Sequence, residues 1–231
     1  MTLEPVYLAG LLLAAFLPAI LWTITIRQVE GRRREPWSRV ARAFVSGGLL
    51  GVGAALVLLQ GALWFARPMP AAESLLFVTV VAAPLVEEAT KPLGLLLFRD
   101  ADPEPENGYI YGAAAGLGFS AVENVLVEGA VLATGSLGAF VATVALRSVA
   151  TALLHASATS LVGRAIWAWR YEKAPAILIV PWYAAAVLAH GVFNALAVAS
   201  TLASLALAIA LAAGAWVLVR RAVKRLDAAA A

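Results

Sequence analysis

Apolar residues run through this chain in blocks of roughly 20, separated by short polar stretches. Seven runs stand out, at about 6–26, 43–66, 73–98, 109–133, 139–163, 175–199 and 202–219. About 20 residues of helix cross a bilayer's hydrocarbon core. Backbone groups in lipid must be satisfied within the segment, so the pattern predicts transmembrane helices. The expected fold is all-α: a polytopic membrane helix bundle of about seven helices, one domain over 1–231, with no repeat and no low-complexity linker. Short loops make successive helices antiparallel. The first run is expected to stay in place rather than be cleaved as a leader. It carries Glu4 instead of a basic stretch, and its apolar run exceeds the usual ~7–15 residues.

Composition agrees. Hydrophobic residues make up 62% of the chain and charged ones 13%, against about 25% charged in soluble domains. Mean hydropathy is +0.87. The net charge of +3 does not point to nucleic acid, because the basic residues are spread over several loops rather than one surface. The absence of cysteine excludes disulfides, thiolate metal sites and a Cys nucleophile.

Basic residues also orient the bundle. With the N-terminus outside, the cytoplasmic segments 27–42, 99–108, 164–174 and the tail from 220 hold 14 of the 17 Lys and Arg. The outer segments hold only Arg67, and Lys91 and Arg147 lie within spans. Such a split is the positive-inside pattern of a multi-pass plasma-membrane protein. Trp167, Trp169 and Tyr171 are expected in the interfacial belt on the cytoplasmic side. The stretch "RRREPWSRVARAF" is expected to begin as an amphipathic helix on that surface.

Against this background the polar residues inside the runs are few. Helix 3 carries Glu87, Glu88 and Lys91, and helix 4 carries Glu123 and Asn124. Helix 5 has Arg147 and His155; helix 6 has His190 and Asn194. Both histidines of the chain are in this set. At 1.5 Å per residue from the inner helix ends, Glu87 lies roughly 16 Å deep, Glu123 about 21 Å, His155 about 12 Å and His190 about 21 Å. Four helices thus bring a carboxylate or an imidazole to one layer. Glu87 and Lys91 are i and i+4, as are His190 and Asn194, so each pair shares a helix face. Gly108, Gly112, Gly116 and Ser120 form a small-residue ridge that permits close packing. A Glu–Lys pair also serves as a structural clamp, and a lone membrane histidine as a bond between helices. Arg147 reads as the structural partner of a carboxylate, while Glu73 and Glu128 read as wet boundary residues.

Ionisable residues inside a membrane mark function by default. Adjacent Glu87 and Glu88 cannot both ionise cheaply unless cations compensate, and Lys91 or a metal would do so. Two histidines with a carboxylate are a recurring zinc set, which here would draw on Glu87, Glu123, His155 and His190. Glu87, with Glu88 as the next candidate, could take a proton from water. Asn194 could donate to a developing oxyanion. Hydrolysis of a membrane-embedded bond follows. The alternative is a proton- or ion-coupled transporter or channel using the same cluster, or a non-catalytic scaffold.

The motifs "EEATK" (87–91), "FSAVEN" (119–124), "HASATSLVG" (155–163) and "HGVFN" (190–194) resemble those of PrsW-type intramembrane proteases. These are related to the CAAX prenyl endopeptidases and the bacteriocin-processing proteases. The motifs lie in family order across helices 3 to 6, roughly 73–199, the expected catalytic core. The resemblance implies that Glu87 activates water and that Lys91 is the basic residue following the Glu pair. It matches Glu123 to the second motif, where the CAAX branch has His, and His190 and Asn194 to the last. Lys91's spacing and Glu123 argue against a prenyl-CAAX substrate. The resemblance further implies zinc and a membrane-anchored protein substrate of the anti-sigma-factor kind.

Overall fold

A computed structural model describes residues 5–31, 33–99 and 103–229. Seven continuous helical runs fill them: α1 (Pro5–Arg27), α2 (Trp37–Ala66), α3 (71–97), α4 (Asn107–Thr134), α5 (Leu137–Tyr171), α6 (Ala176–Ala199) and α7 (Leu202–Ala229). Among the described residues, all but α3 are long and apolar enough to cross a membrane. The run α3 is helical throughout, but it breaks its apolar character with Glu87, Glu88 and Lys91. The chain is a multi-pass integral membrane protein.

α4 is the central post. It is 72% buried over its apolar stretch, against 22–28% for the other spanning helices. Every residue from Asn107 to Ala121 is buried. That helix is rich in Gly and Ala because α5 lies against its backbone. A methyl group on Gly112 would come within 2.6 Å of the Thr159 carbonyl and 2.8 Å of Ser160 Cα. The expected ridge is therefore the α4–α5 interface, and its Gly116 faces the backbone of His155. Ser160 Oγ adds a hydrogen bond to the Tyr109 carbonyl at 2.9 Å. α1 covers another side of α4 with Leu11, Ala15, Ala19 and Thr23, one turn apart. Its Trp22 meets Trp216 of α7 edge-on and donates to the Ser148 carbonyl at 2.8 Å. Ser200, in a left-handed conformation at φ 54°, reverses the chain between α6 and α7.

Three of the long helices contain a wider π turn: Gly47–Gly51 in α2, Phe77–Ala82 in α3 and Arg147–Thr151 in α5. Such turns shift the side chains that follow and recur at functional sites. The last residues of α3, Lys91–Leu97, tighten into a 3₁₀ helix. Its terminal carbonyls are capped from α5: Arg170 donates to Leu95 (3.0 Å), Leu96 and Phe98 (2.7 Å), and Tyr171 to Phe98 (3.1 Å).

The expected helix forms at Trp37–Ser46, with Val40 and Ala43 buried on one face, and it runs without a break through the π turn into the span. Other expectations need correction. α5 continues as helix to Tyr171 and α7 to Ala229, because a helix does not stop where its apolar residues do. Trp167 is not an interfacial residue. It is 1% exposed and sits in an aromatic stack of Phe98, Tyr111, Trp167 and Tyr171 with centroid spacings of 5.0, 5.3 and 4.4 Å. Of the expected belt, Trp169 is exposed.

Candidate active site

Each carboxylate and imidazole of the polar layer reaches the middle of the bundle from a different helix. Glu87, Glu123, His155 and His190 all line one cavity of about 470 Å³ between α3, α4, α5 and α6. One ligand atom each from Glu87, His155 and His190 lie within 4.8 Å of one another. All three side chains are buried.

The two adjacent glutamates divide the work by direction. Neighbours on a helix point about 100° apart, so Glu87 lines the cavity while Glu88 turns into the protein, where it is fully buried. Glu88 Oε1 accepts from Lys91 Nζ at 2.6 Å and meets His190 Nδ1 at 2.8 Å. A carboxylate oxygen that already accepts from an ammonium is an acceptor, so Nδ1 carries the proton. Nε2 of His190, the nitrogen that a neutral ring would offer as a ligand, lies 3.9 Å from Glu87 Oε2. A carboxylate that fixes the tautomer and orientation of an imidazole in this way is the usual support of a metal-ligating histidine. Lys91 also contacts Glu87 Oε2 at 3.3 Å, and its ammonium lies 4.8 Å from the Phe119 ring centre. It is completely buried, so it is the counter-charge of both glutamates.

His155 stands opposite, its ring 5.1 Å from that of His190 and stacked on Phe119 at 5.8 Å. Its Nε2 is 3.3 Å from Glu123 Oε2, while its Nδ1 has no hydrogen-bond partner. Glu123 is 25% exposed towards the cavity and is held by Arg147 Nη2 at 2.9 Å. The Glu123 pair is the carboxylate contact expected of Arg147, whose Nε also donates to the Asn124 amide oxygen Oδ1 at 2.6 Å, but Arg147 lines the cavity as well. Asn194 lines it too and donates to the Thr79 carbonyl in the π turn of α3 at 2.9 Å.

The residues present fit a divalent metal. Glu87, His155 and His190 form a compact, mixed carboxylate–imidazole donor set; His155 Nδ1 is buried without a hydrogen-bond partner, and Glu87 Oε2 has only its ion-pair contacts with Lys91 and His190. Buried polar atoms are rarely left so. Glu123 stands outside that three-residue group. It joins the site through His155 and Arg147.

Other parts of the wall carry little sequence signal. Thr79 and Thr151 line the cavity from the π turns of α3 and α5, and Phe119 packs both His155 and Lys91. Only the motif "FSAVEN" drew attention to Phe119's surroundings. Glu128 departs from expectation. Rather than wet, it is fully buried with neither oxygen hydrogen-bonded, because α4 extends to Thr134 and Leu11 of α1 packs at neighbouring Gly129. Glu73 is exposed.

No solved structure matches this chain. The curated protein "Protease PrsW" of Clostridioides difficile (strain 630) is 31% identical over 119 residues, which is 50% of this chain and 49% of that relative. The chain thus matches about half the length of that relative. Residues 35–220, which include the whole candidate site, match the sequence model of the family described as PrsW family intramembrane metalloprotease. The chain belongs to that family.

Proposed function

We propose that the chain is an intramembrane metallo-endopeptidase that hydrolyses a peptide bond of a membrane-anchored protein. The observation that carries this is the meeting of Glu87, His155 and His190 at the floor of a cavity inside the bundle.

Glu87 is the base. It accepts a proton from a water whose oxygen attacks the scissile carbonyl carbon. The proton then passes to the leaving nitrogen as the C–N bond breaks. Lys91 compensates the carboxylate charges and holds the pair in register. His155, His190 and Glu87 would hold zinc, with Glu123 beside His155. When bound, zinc supplies Lewis acidity that makes water a nucleophile near neutral pH and polarises the carbonyl. Arg147 and the second amide hydrogen of Asn194, both at the cavity wall, are placed to stabilise negative charge on the carbonyl oxygen.

The cavity indicates how substrate arrives. Its wall reaches Val78 near the start of α3, Val127 near the end of α4, Thr143 near the start of α5 and Val198 at the end of α6. All four helix ends are on one side of the bundle, opposite the basic loops. Substrate, an anti-sigma-factor-like membrane-anchored protein, is therefore expected to enter from the outer side and to be cut at the depth of the Glu87, His155 and His190 layer. In the other direction the wall stops at the Glu87, His155 and His190 layer. Below it lie Lys91, Phe119, Tyr111 and Trp167, all buried. A transporter needs a polar route that continues, which disfavours that reading.

The test is cleavage of a membrane-anchored reporter by wild type and Glu87→Gln in proteoliposomes, at saturating zinc so that occupancy is matched. A fall of roughly 10²-fold or more is expected from loss of a general base. Full activity in the variant would remove Glu87 from the reaction.

A further inference from the structure

Behind the candidate site, on the far side of α5 and α6, lies a second space that proteolysis does not use. Two cavities of about 300 and 380 Å³ share Tyr109, Trp182 and Ala222, and so form one slot between α5, α6 and α7. Its deep part is walled by apolar side chains such as Leu154, Ala189 and Leu218. The shallow part is lined by Arg164 and Arg225. Trp182 and Leu218 line the slot and are themselves exposed, so it is open sideways.

Its length is informative. The lining runs along α5 from Leu154 to Ala168 and along α7 from Ala215 to Leu226, and the distance from its deep apolar end to the guanidinium groups is ten residues on each, Leu154 to Arg164 and Ala215 to Arg225. Ten residues of helix advance about 15 Å. That is half of a hydrocarbon core of about 30 Å, or one leaflet. The apolar part thus matches acyl-chain depth, and the guanidinium groups match headgroup depth. Both arginines sit at the end of the bundle that carries the basic loops.

The charge at the mouth is only partly spent. Arg225 is exposed and takes part in no ion pair among the described residues. Arg164 gives Nη2 to Glu172 at 2.8 Å, while its Nη1 is buried without a partner. Basic pockets between transmembrane helices on the cytoplasmic side select anionic headgroups. Tyr109 and Trp182, where the two parts join, are side chains suited to that boundary.

We infer that this slot binds one anionic phospholipid of the cytoplasmic leaflet, its phosphate at Arg164 and Arg225 and an acyl chain between α5, α6 and α7. The lipid braces the helices that carry the histidines, since Leu154 and Ala189 directly precede His155 and His190. The inference rests on the transmembrane fold and not on the protease reading, and its test reads lipid rather than cleavage.

The experiment is native mass spectrometry of the purified full chain, exchanged from detergent into equimolar phosphatidylglycerol and phosphatidylcholine. Wild type should retain one phosphatidylglycerol per chain in preference to phosphatidylcholine. Arg225→Gln should lower that preference about five-fold, the share of one interfacial basic residue. Arg225→Lys should keep most of it. Ala215→Phe, which fills the apolar part and spares both arginines, should displace the lipid altogether. Equal retention of the two lipids by wild type would overturn the inference, as would unchanged retention in both Arg225→Gln and Ala215→Phe. Displacement of the bound lipid by soluble glycerol phosphate would also overturn it, by assigning the arginines to a free phosphate.

Discussion

Glu88 is the residue whose place explains its neighbours. It faces away from the cavity, yet it binds both Lys91 and the far nitrogen of His190. Glu88→Gln should therefore act through His190. Zinc affinity is expected to fall 10–100-fold, as for other supports of ligating histidines, and isothermal titration of the folded variant measures it. An unchanged affinity would show that His190 needs no such support. Glu87, His155 and His190 were legible in the sequence because an ionisable group in lipid is costly and demands a reason. The direction of each glutamate was not legible, since adjacency on a helix shows only that the two point apart. Pairing of Arg147 with a carboxylate was legible, but not that Glu123 is the one, nor that the pair sits with Asn124 at the cavity wall, beside a π turn at 147–151 with no sequence signature that we can name.

At the scale of elements, the α4–α5 contact sets the position of His155. Gly112→Val places side-chain carbons where Thr159 and Ser160 backbone atoms already lie. Overpacking of this kind costs about 1–3 kcal/mol, so a lowered melting temperature is expected, with weaker zinc binding as the helices part. A variant as stable as wild type would mean that the helices separate without cost. The glycine spacing made this interface readable in advance. Helix ends were less readable, because apolar runs report where hydrocarbon ends and not where hydrogen bonding ends. The connection between α1 and α2 adds an electrostatic element. Burial raises Glu30 to about 8, partly offset by the hydrogen bond from the Glu35 backbone, with further repulsion from Glu35, Glu106 and Asp227. A carboxyl whose folded pKa is raised holds its proton better when folded. Its relative stability is full below about pH 4.5 and is lost as pH rises through about 8. Glu30→Gln should flatten thermal stability between those limits and raise it above pH 8. A pH profile identical to wild type would contradict the assignment.

The whole molecule is a multi-pass bundle built around one small-residue helix, with Glu87, Glu123, His155 and His190 gathered where four helices meet. The three side chains in ligand reach of one another come from α3, α5 and α6, so the site exists only when the bundle is assembled. That makes metal content a reading of the entire arrangement. Exposed apolar side chains such as Leu58, Leu97 and Leu202 belong to the lipid-facing outside, and the basic loops should report from the cytoplasm. Cysteines introduced in the 27–42 loop and after residue 220 should accordingly react only with reagent on that side, and labelling from outside would invert the bundle. The central claim is that Glu87, His155 and His190 form a metal-dependent hydrolytic centre. Its most direct test is zinc per chain, measured on detergent-purified wild type, His155→Ala and His190→Ala. About one zinc is expected in wild type and a large loss in each variant, since each removes a ligand from a small set. Equal zinc in all three, or none in wild type supplied with the metal, would contradict it.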